Sequence, residues 1–305
     1  MEGNKIKFPQ SGKDLAQLEE FLYSYEGEDR IVTSHEIAEK LGETSDSVFK
    51  TNTGIPSLDR VLGSVEAGEL IIVTGPSGAG KTSFMMSITA NMCKQESSSA
   101  WFTLEVTPRQ FINKMKKIMG DKLPLFYMPA QNTDNNIKWL HDRIIEAKVK
   151  YNIKVAFVDH LHQLFSLDKF NGTNLSLEIG DVVAKIKQLA ITHNIVIFLV
   201  AHSTDAKDAP TREPKMMDIR DSGMISRLAD TVLGIWRIAN KNDGTKSRLD
   251  DIQEDDIRAK VRIWKNRREG KLGFFVMQML NGHLQEVDTI QEKIARNQVD
   301  DDWAN

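Results

Sequence analysis

At 305 residues, 40% hydrophobic and 27% charged, the chain is long enough for one large domain plus a small appendage, and its composition is that of an ordinary globular protein. A net charge of −3 supplies no global basicity, so any nucleic-acid contact must come from a local patch. A single cysteine, Cys93, excludes internal disulfides and cysteine-cluster zinc sites, and the lack of a membrane-length apolar run or a signal-peptide core argues for a cytoplasmic location.

Residues 13–25 place Leu15, Leu18, Leu22 and Tyr25 on one helical stripe of about three turns. A second short helix is predicted over residues 34–41, with Ser34 as its N-cap and Gly42 as its stop. Residues 44–47 read as a linker. So small a segment buries little surface alone, and residues 1–50 are expected to dock on something. A helix-turn-helix reader is disfavoured because no basic recognition helix follows.

From residue 53 onward strands and helices alternate, which predicts a mostly parallel sheet with crossover helices. Residues 69–74 are an apolar, β-branched run of the kind that makes a buried strand. They lead into Gly75-Pro76-Ser77-Gly78-Ala79-Gly80-Lys81-Thr82, which fits G-x-x-x-x-G-K-[ST], and residues 83–90 can run on as a helix. Strand, glycine loop and helix make the geometry a triphosphate needs, because backbone N–H groups curl around the phosphates at a helix N-terminus. In that arrangement Gly75 to Ser83 hold ATP or another NTP, Lys81 reaches the β- and γ-phosphates, and Thr82 offers its hydroxyl to Mg²⁺. Cys93 is expected to pack in the helix after the loop, as a small apolar residue.

Further along, a second buried strand is predicted over residues 100–104, with Glu105 directly after it. Ile137, Leu140, Ile144 and Ala147 mark an amphipathic helix, and residues 154–158 form a third strand ending at Asp159. A stripe of Ile179, Val182, Val183, Ile186 and Ala190 precedes the strand over residues 195–200, which reaches His202 through Ala201. Residues 203–221 read as a long polar loop in which Lys207, Arg212 and Lys215 mix with acids. Three more strands are predicted at 231–236, 259–264 and 273–280. The last two read as a hairpin that closes one sheet edge around the charged turn 265–271, and residues 288–305 as a polar tail.

Asp159 ends a strand expected beside the phosphate loop, where such a carboxylate holds Mg²⁺ through water. Glu105 ends another, where it either orients and deprotonates an attacking water or is a solvated strand-end acid. His202 either senses the γ-phosphate or is structural. Lys265 and Arg267 sit on the hairpin turn, where basic groups serve a neighbouring subunit's phosphate or merely protect a sheet edge.

Taken in order, these stretches resemble the helicase domain of the DnaB-like, RecA-fold replicative ring helicases, phage enzymes included. The resemblance covers about residues 51–287. It is carried by Thr53-Gly54-Ile55-Pro56-Ser57-Leu58-Asp59, Thr103-Leu104-Glu105-Val106, Val158-Asp159-His160-Leu161, the run from Met217 to Ile225 with Ala229-Asp230, and Lys265-Asn266-Arg267. It implies an α/β fold with a RecA-like P-loop core, a mostly parallel sheet and a C-terminal β-hairpin, preceded by the short helical segment. It also implies a DNA helicase that hydrolyses ATP with Mg²⁺ and moves on single-stranded DNA as a ring, a homohexamer. A separate primase or loader is the implied partner. By resemblance Glu105 is the catalytic base, His202 the γ-phosphate sensor, and Lys265 with Arg267 the pair that serves the next subunit's ATP. Lys207, Arg212 and Lys215 fall where such enzymes contact DNA, and residues 13–25 where a helix packs on the adjacent subunit. Position 202 departs from the Gln of many relatives. Two other readings stand beside this one: a RecA-like DNA-binding or loading ATPase that does not unwind, and a P-loop kinase or switch.

Overall fold

Short β-branched runs build the frame of the molecule. The computed structural model describes residues 15–27, 30–43, 48–120, 123–134, 136–164, 175–202, 213–218, 222–238, 258–280 and 283–287. The chain divides into two units, residues 1–47 and 48–305.

In the first unit, α1 spans Leu15–Tyr23 and α2 spans Ser34–Glu43. The predicted stripe through Tyr25 is shorter than expected, because the helix ends at Tyr23 and Tyr25 instead sets its ring 5.8 Å from that of Phe21. The α2 cap also moves by one residue. Thr33, not Ser34, accepts from the Glu36 backbone N–H at 3.1 Å, and the Glu36 carboxylate accepts from the Thr33 N–H at 2.8 Å. This reciprocal pair is a capping box, which fixes Thr33 at the N-cap. Gly42 lies inside the helix rather than ending it.

The second unit opens with a two-stranded ribbon of β1 (Lys50–Thr51) and β2 (Val65–Glu66) around α3 (Pro56–Leu62). Asp59 explains the lead-in sequence. Its carboxylate accepts from Thr53 N–H and hydroxyl, both at 2.7 Å, and from Gly54 N–H at 3.0 Å.

The main sheet holds β3 (Leu70–Gly75), β4 (Ser99–Thr103), β5 (Val155–Asp159), β6 (Val196–His202), β7 (Thr231–Ile238), β8 (Arg258–Asn266), β9 (Gly273–Leu280) and β10 (His283–Glu286). Their order is β10-β9-β8-β7-β3-β6-β5-β4. The pairs among β7, β3, β6, β5 and β4 are parallel, and β8 to β10 add an antiparallel edge. Two expectations change here. The edge strand is β10, since the 273–280 strand is itself covered by residues 283–286. And β5 is not beside β3, because β6 intervenes.

Buried on both faces, the parallel strands β3 to β7 are apolar runs, whereas β8 and β9 alternate buried with more exposed positions. Their side chains divide by strand period between two cores. Ile71, Val73, Trp101, Phe157, Phe198 and Val200 face α4 (Lys81–Lys94) and α5 (Pro108–Met119), where Phe84, Met85, Ile88 and Phe111 meet them. Trp101, Phe157 and Phe198 stack across three strands at centroid distances of 4.9 and 5.0 Å. Each such pair is worth about 0.5–1.5 kcal/mol beyond its buried area. The Trp101 indole N–H is satisfied by the Thr89 hydroxyl at 2.9 Å.

On the other face Leu70, Ile72, Phe102, Val158, Ile197 and Leu199 meet α6 (Ile137–Tyr151) and α7 (Leu175–Thr192). The predicted stripes supply them: Leu140, Ile144 and Ala147 from α6, and Ile179, Val182, Val183, Ile186 and Ala190 from α7, are buried. A short α8 (Ser222–Leu228) comes after a 3-10 turn at Met216–Asp218, so the predicted 203–221 loop gains structure near its end. Among the described residues no helix is long and apolar enough to cross a membrane. The predicted tail, residues 288–305, lies outside the described residues.

Candidate nucleotide site

Parallel strands end together, so the residues that come after each of them meet at one edge of the sheet. Here β3 ends at Gly75, β4 leads to Glu105, and β5 ends at Asp159; the register sets Gly75 opposite His202 and Thr103 opposite Asp159. The His202 backbone is thereby placed next to the phosphate loop, while its side chain lies outside the described residues.

Gly75 is there because nothing larger fits. A Cβ at this position would stand 1.9 Å from the Ile235 carbonyl oxygen of β7. At Gly78 the chain has positive φ, +72°, and the space where a Cβ would stand is open. Gly80, at φ +98°, turns the loop into α4. Gly75→Ala is expected to lower the melting temperature and to weaken nucleotide binding at least about tenfold, because relief must come from backbone on one side or the other. Fluorescent-nucleotide titration checks this, and parental affinity would show the close approach to be unimportant.

Lys81 is buried and folded back on its own loop, with Nζ donating to the Gly75 and Pro76 carbonyls, both at 2.9 Å. Thr82 donates its hydroxyl to Asp159 Oδ2 at 2.9 Å. The first turn of α4 thus reaches over the end of β6, which is how Asp159 serves the loop from a strand that is not adjacent. Burial above all, with the nearby Glu105 charge, raises the Asp159 carboxyl to about 6, against the pull of the Thr82 hydroxyl and of Lys81. A hydroxyl and a buried carboxylate at hydrogen-bond distance suit a hard divalent cation, whose charge would draw that acid back to its ionised form. Pro76, Ser77 and Ala79 fill the loop, and Ser83 lies in the first turn of α4.

Glu105 is held by its neighbours in the chain. The Thr103 hydroxyl donates to Val106 O at 3.0 Å, and Leu104 N–H to Asp159 O at 2.7 Å. Thr107 and Gln110 then form a capping box with Pro108 at the start of α5. Sequence reasoning missed this T-P-x-Q signature and the helix it opens. It also gave no role to His160, whose Nε2 lies 2.9 Å from Glu105 Oε2 and 3.1 Å from Asp159 Oδ1. The signal was its place, directly after a strand-end aspartate.

Lys265 and Arg267 are elsewhere. β8 runs antiparallel, so Asn266 pairs with Thr231, level with Ile71 near the start of β3. Lys265 Nζ donates to the Ser226 and Ala229 carbonyls at 2.7 and 2.6 Å, closing the end of α8; burial, then the Arg267 charge, lowers its pKa. Arg267 reaches Asp230 Oδ1 at 3.0 Å, while Asp230 Oδ2 accepts from Leu70 N–H and Lys187 at 2.8 and 2.5 Å. Of the DNA-contact candidates, Lys207 and Arg212 lie outside the described residues. Lys215 is exposed, and its N–H donates to Asp218 at 2.7 Å. Cys93 is only partly buried; its thiol donates to Leu125 O, and burial raises its pKa. A cavity of about 630 Å³ between β4 and α6, lined by Phe102, Tyr127, Trp139 and Arg143, takes none of the site residues.

Residues 51–122 and 121–285 match the family described as DnaB-like helicase C terminal domain. The chain belongs to this family. Among its DnaB-like relatives is a probable plasmid replicative DNA helicase of Chlamydia psittaci, 24% identical over 212 residues, which are 61% of this chain and 46% of the relative. The chain thus matches about half the length of that curated relative. The replicative DNA helicase DnaC of Bacillus subtilis is 25% identical over 236 residues, 68% of this chain and 52% of that protein. The DnaB-like fold is shared with a DnaB-like replicative helicase studied for its interactions with primase, at TM-score 0.65 and 14% identity, covering 90% of this chain and 72% of that one. It is shared as well with a separately solved ATPase domain, at TM-score 0.65 and 14% identity, covering 83% and 97%.

Proposed function

We propose that this chain is the motor of an ATP-driven ring helicase that moves along single-stranded DNA. Gly75 to Ser83 hold the triphosphate, Thr82 and Asp159 hold Mg²⁺, and Glu105 aligns and deprotonates the attacking water. A Mg²⁺ ion held by Thr82 and Asp159 would supply charge screening for the phosphates. Lys81 leaves the Gly75 and Pro76 carbonyls for the phosphates, exchanging two neutral acceptors for charged ones. His202 reports the state of the γ-phosphate to the loop that carries Lys207, Arg212 and Lys215, and through it to DNA.

One observation carries the reading. Gly75, Glu105 and Asp159 stand at the C-terminal ends of the parallel strands, and Lys265 and Arg267 at the opposite ends, separated by the length of β3. Six residues of strand span about 17 Å, beyond the reach of an arginine side chain. A phosphate served by Arg267 would therefore belong to another subunit, and a closed ring of identical copies gives every site such a neighbour. A hexamer is the assembly we infer, working in the cytoplasm of a cell or of a virus-infected host. In residues 1–50, α1 leaves Phe21 and Leu22 half exposed and Tyr23 at 98% exposure, apolar surface at the end of the helix that could dock on an adjacent subunit. The polar tail of residues 288–305 comes after the motor of residues 51–287. A separate primase or loader is the inferred partner, the former in line with the primase interactions of the similar helicase.

Unwinding of a forked duplex, with and without ATP, tests the proposal. Strand separation that requires ATP and is lost in Lys81→Ala is the expected result. ATP hydrolysis stimulated by single-stranded DNA without any unwinding would instead favour a DNA-binding or loading ATPase.

A further inference from the structure

Two carboxylates and one imidazole converge where β4 and β5 end. Glu105 and Asp159 are brought to the same edge by the pairing of Thr103 with Asp159. Between them stands His160, its Nε2 2.9 Å from Glu105 Oε2 and 3.1 Å from Asp159 Oδ1. The nearer of the two, Glu105 Oε2, is a carboxylate oxygen that only accepts, so the ring proton belongs on Nε2.

Burial is unequal across this contact. The His160 side chain is 7% exposed and the Glu105 side chain 41%. A buried ring takes its position from packing, whereas a half-exposed glutamate has three side-chain torsions to lose before it points anywhere in particular. Direction therefore runs from the histidine to the glutamate.

We propose that His160 is a positioning residue, whose Nε2–H holds the Glu105 carboxylate in the orientation from which it aligns the attacking water. The inference rests on the reading of Glu105 as the base. His160 takes no proton in the reaction and need not touch nucleotide.

Four substitutions in the full chain test it. His160→Phe keeps a ring and removes the donor, His160→Gln keeps a donor at similar reach, His160→Asn places one too short, and Glu105→Gln removes the base. We expect His160→Phe to lower kcat for ATP by about ten- to a hundredfold, the scale of a misplaced reacting group, with KM within about twofold. His160→Gln should recover most of that loss and His160→Asn little of it. In a Glu105→Gln background, followed by single turnover, His160→Phe should cost nothing further, because the group it positions is gone. A purely structural histidine would lower kcat in both backgrounds. Parental kcat in His160→Phe, or an equal loss in the Glu105→Gln background, overturns the inference alone. Should His160→Phe fail to fold, Gln and Asn variants of equal activity overturn it. Parental turnover by Glu105→Gln itself overturns the base assignment and this inference with it.

Discussion

Glu105→Gln should bind ATP as the parent does and hydrolyse it at least about a hundredfold more slowly, the scale of a lost general base. The amide keeps the shape of the side chain and can still accept from His160, so the turn between β4 and α5 has no reason to move. That turn is fixed by groups other than the carboxylate: Thr103 on Val106 O, Leu104 on Asp159 O, and the Thr107–Gln110 capping box. Binding should hold or tighten for an electrostatic reason. The Glu105 charge helps to raise Asp159, so removing it lowers the Asp159 pKa and favours the ionised form that a divalent cation needs. The variant thus separates binding from chemistry, with Kd for ATP in the presence of Mg²⁺ unchanged or lower and steady-state turnover collapsed. Turnover at the parental rate would remove Glu105 from the chemistry.

How much can be read from the sequence depends on how local each signal is. Gly75 to Thr82 declares itself because a phosphate loop is one continuous stretch, and the buried strands beside it declare themselves because both faces are covered, leaving unbroken apolar runs. Strand order is not local. Nothing in residues 155–159 says that β6 will lie between them and β3, and only the folded sheet shows Thr82 reaching across to Asp159. The contacts of His160 are equally out of reach, since the partner carboxylate at position 105 is distant in the chain and meets it only through the β4–β5 pairing. Other features are legible yet easily missed. Thr33 with Glu36 and Thr107 with Gln110 are capping boxes written in four residues each; the more obvious Ser34 masks the first, and the strand-end Glu105 draws attention from the second. Tyr25 keeps the helical period but not the helix, since a period continues on paper after the backbone has turned.

Arg267→Ala should lower DNA-stimulated ATP turnover by about a thousandfold or more, the lower range for loss of an arginine supplied across an interface. The fold should hardly notice. Arg267 is half exposed, so its pair with Asp230 contributes little in solvent, and Asp230 keeps Lys187 and the Leu70 N–H after the change. An unchanged melting temperature therefore accompanies the expected loss. Lys81→Ala should be as inactive for the opposite reason: its arginine is intact and its own loop is not. Each pure ring lacks one half of every site. In mixed rings, an interface where a Lys81→Ala subunit supplies Arg267 to the phosphate loop of an Arg267→Ala subunit has both halves. Random mixing in equal amounts makes about one interface in four of this kind, and ATP turnover should rise from the background of either variant toward that fraction of the parental rate. Co-expression with two affinity tags isolates rings that contain both chains. A guanidinium acting on its own subunit's nucleotide cannot be rescued this way, so verified mixed rings at background activity would overturn the assignment, as would normal hydrolysis by Arg267→Ala alone. Recovery is expected because the sheet itself keeps residue 267 and residue 75 at opposite ends of its parallel strands.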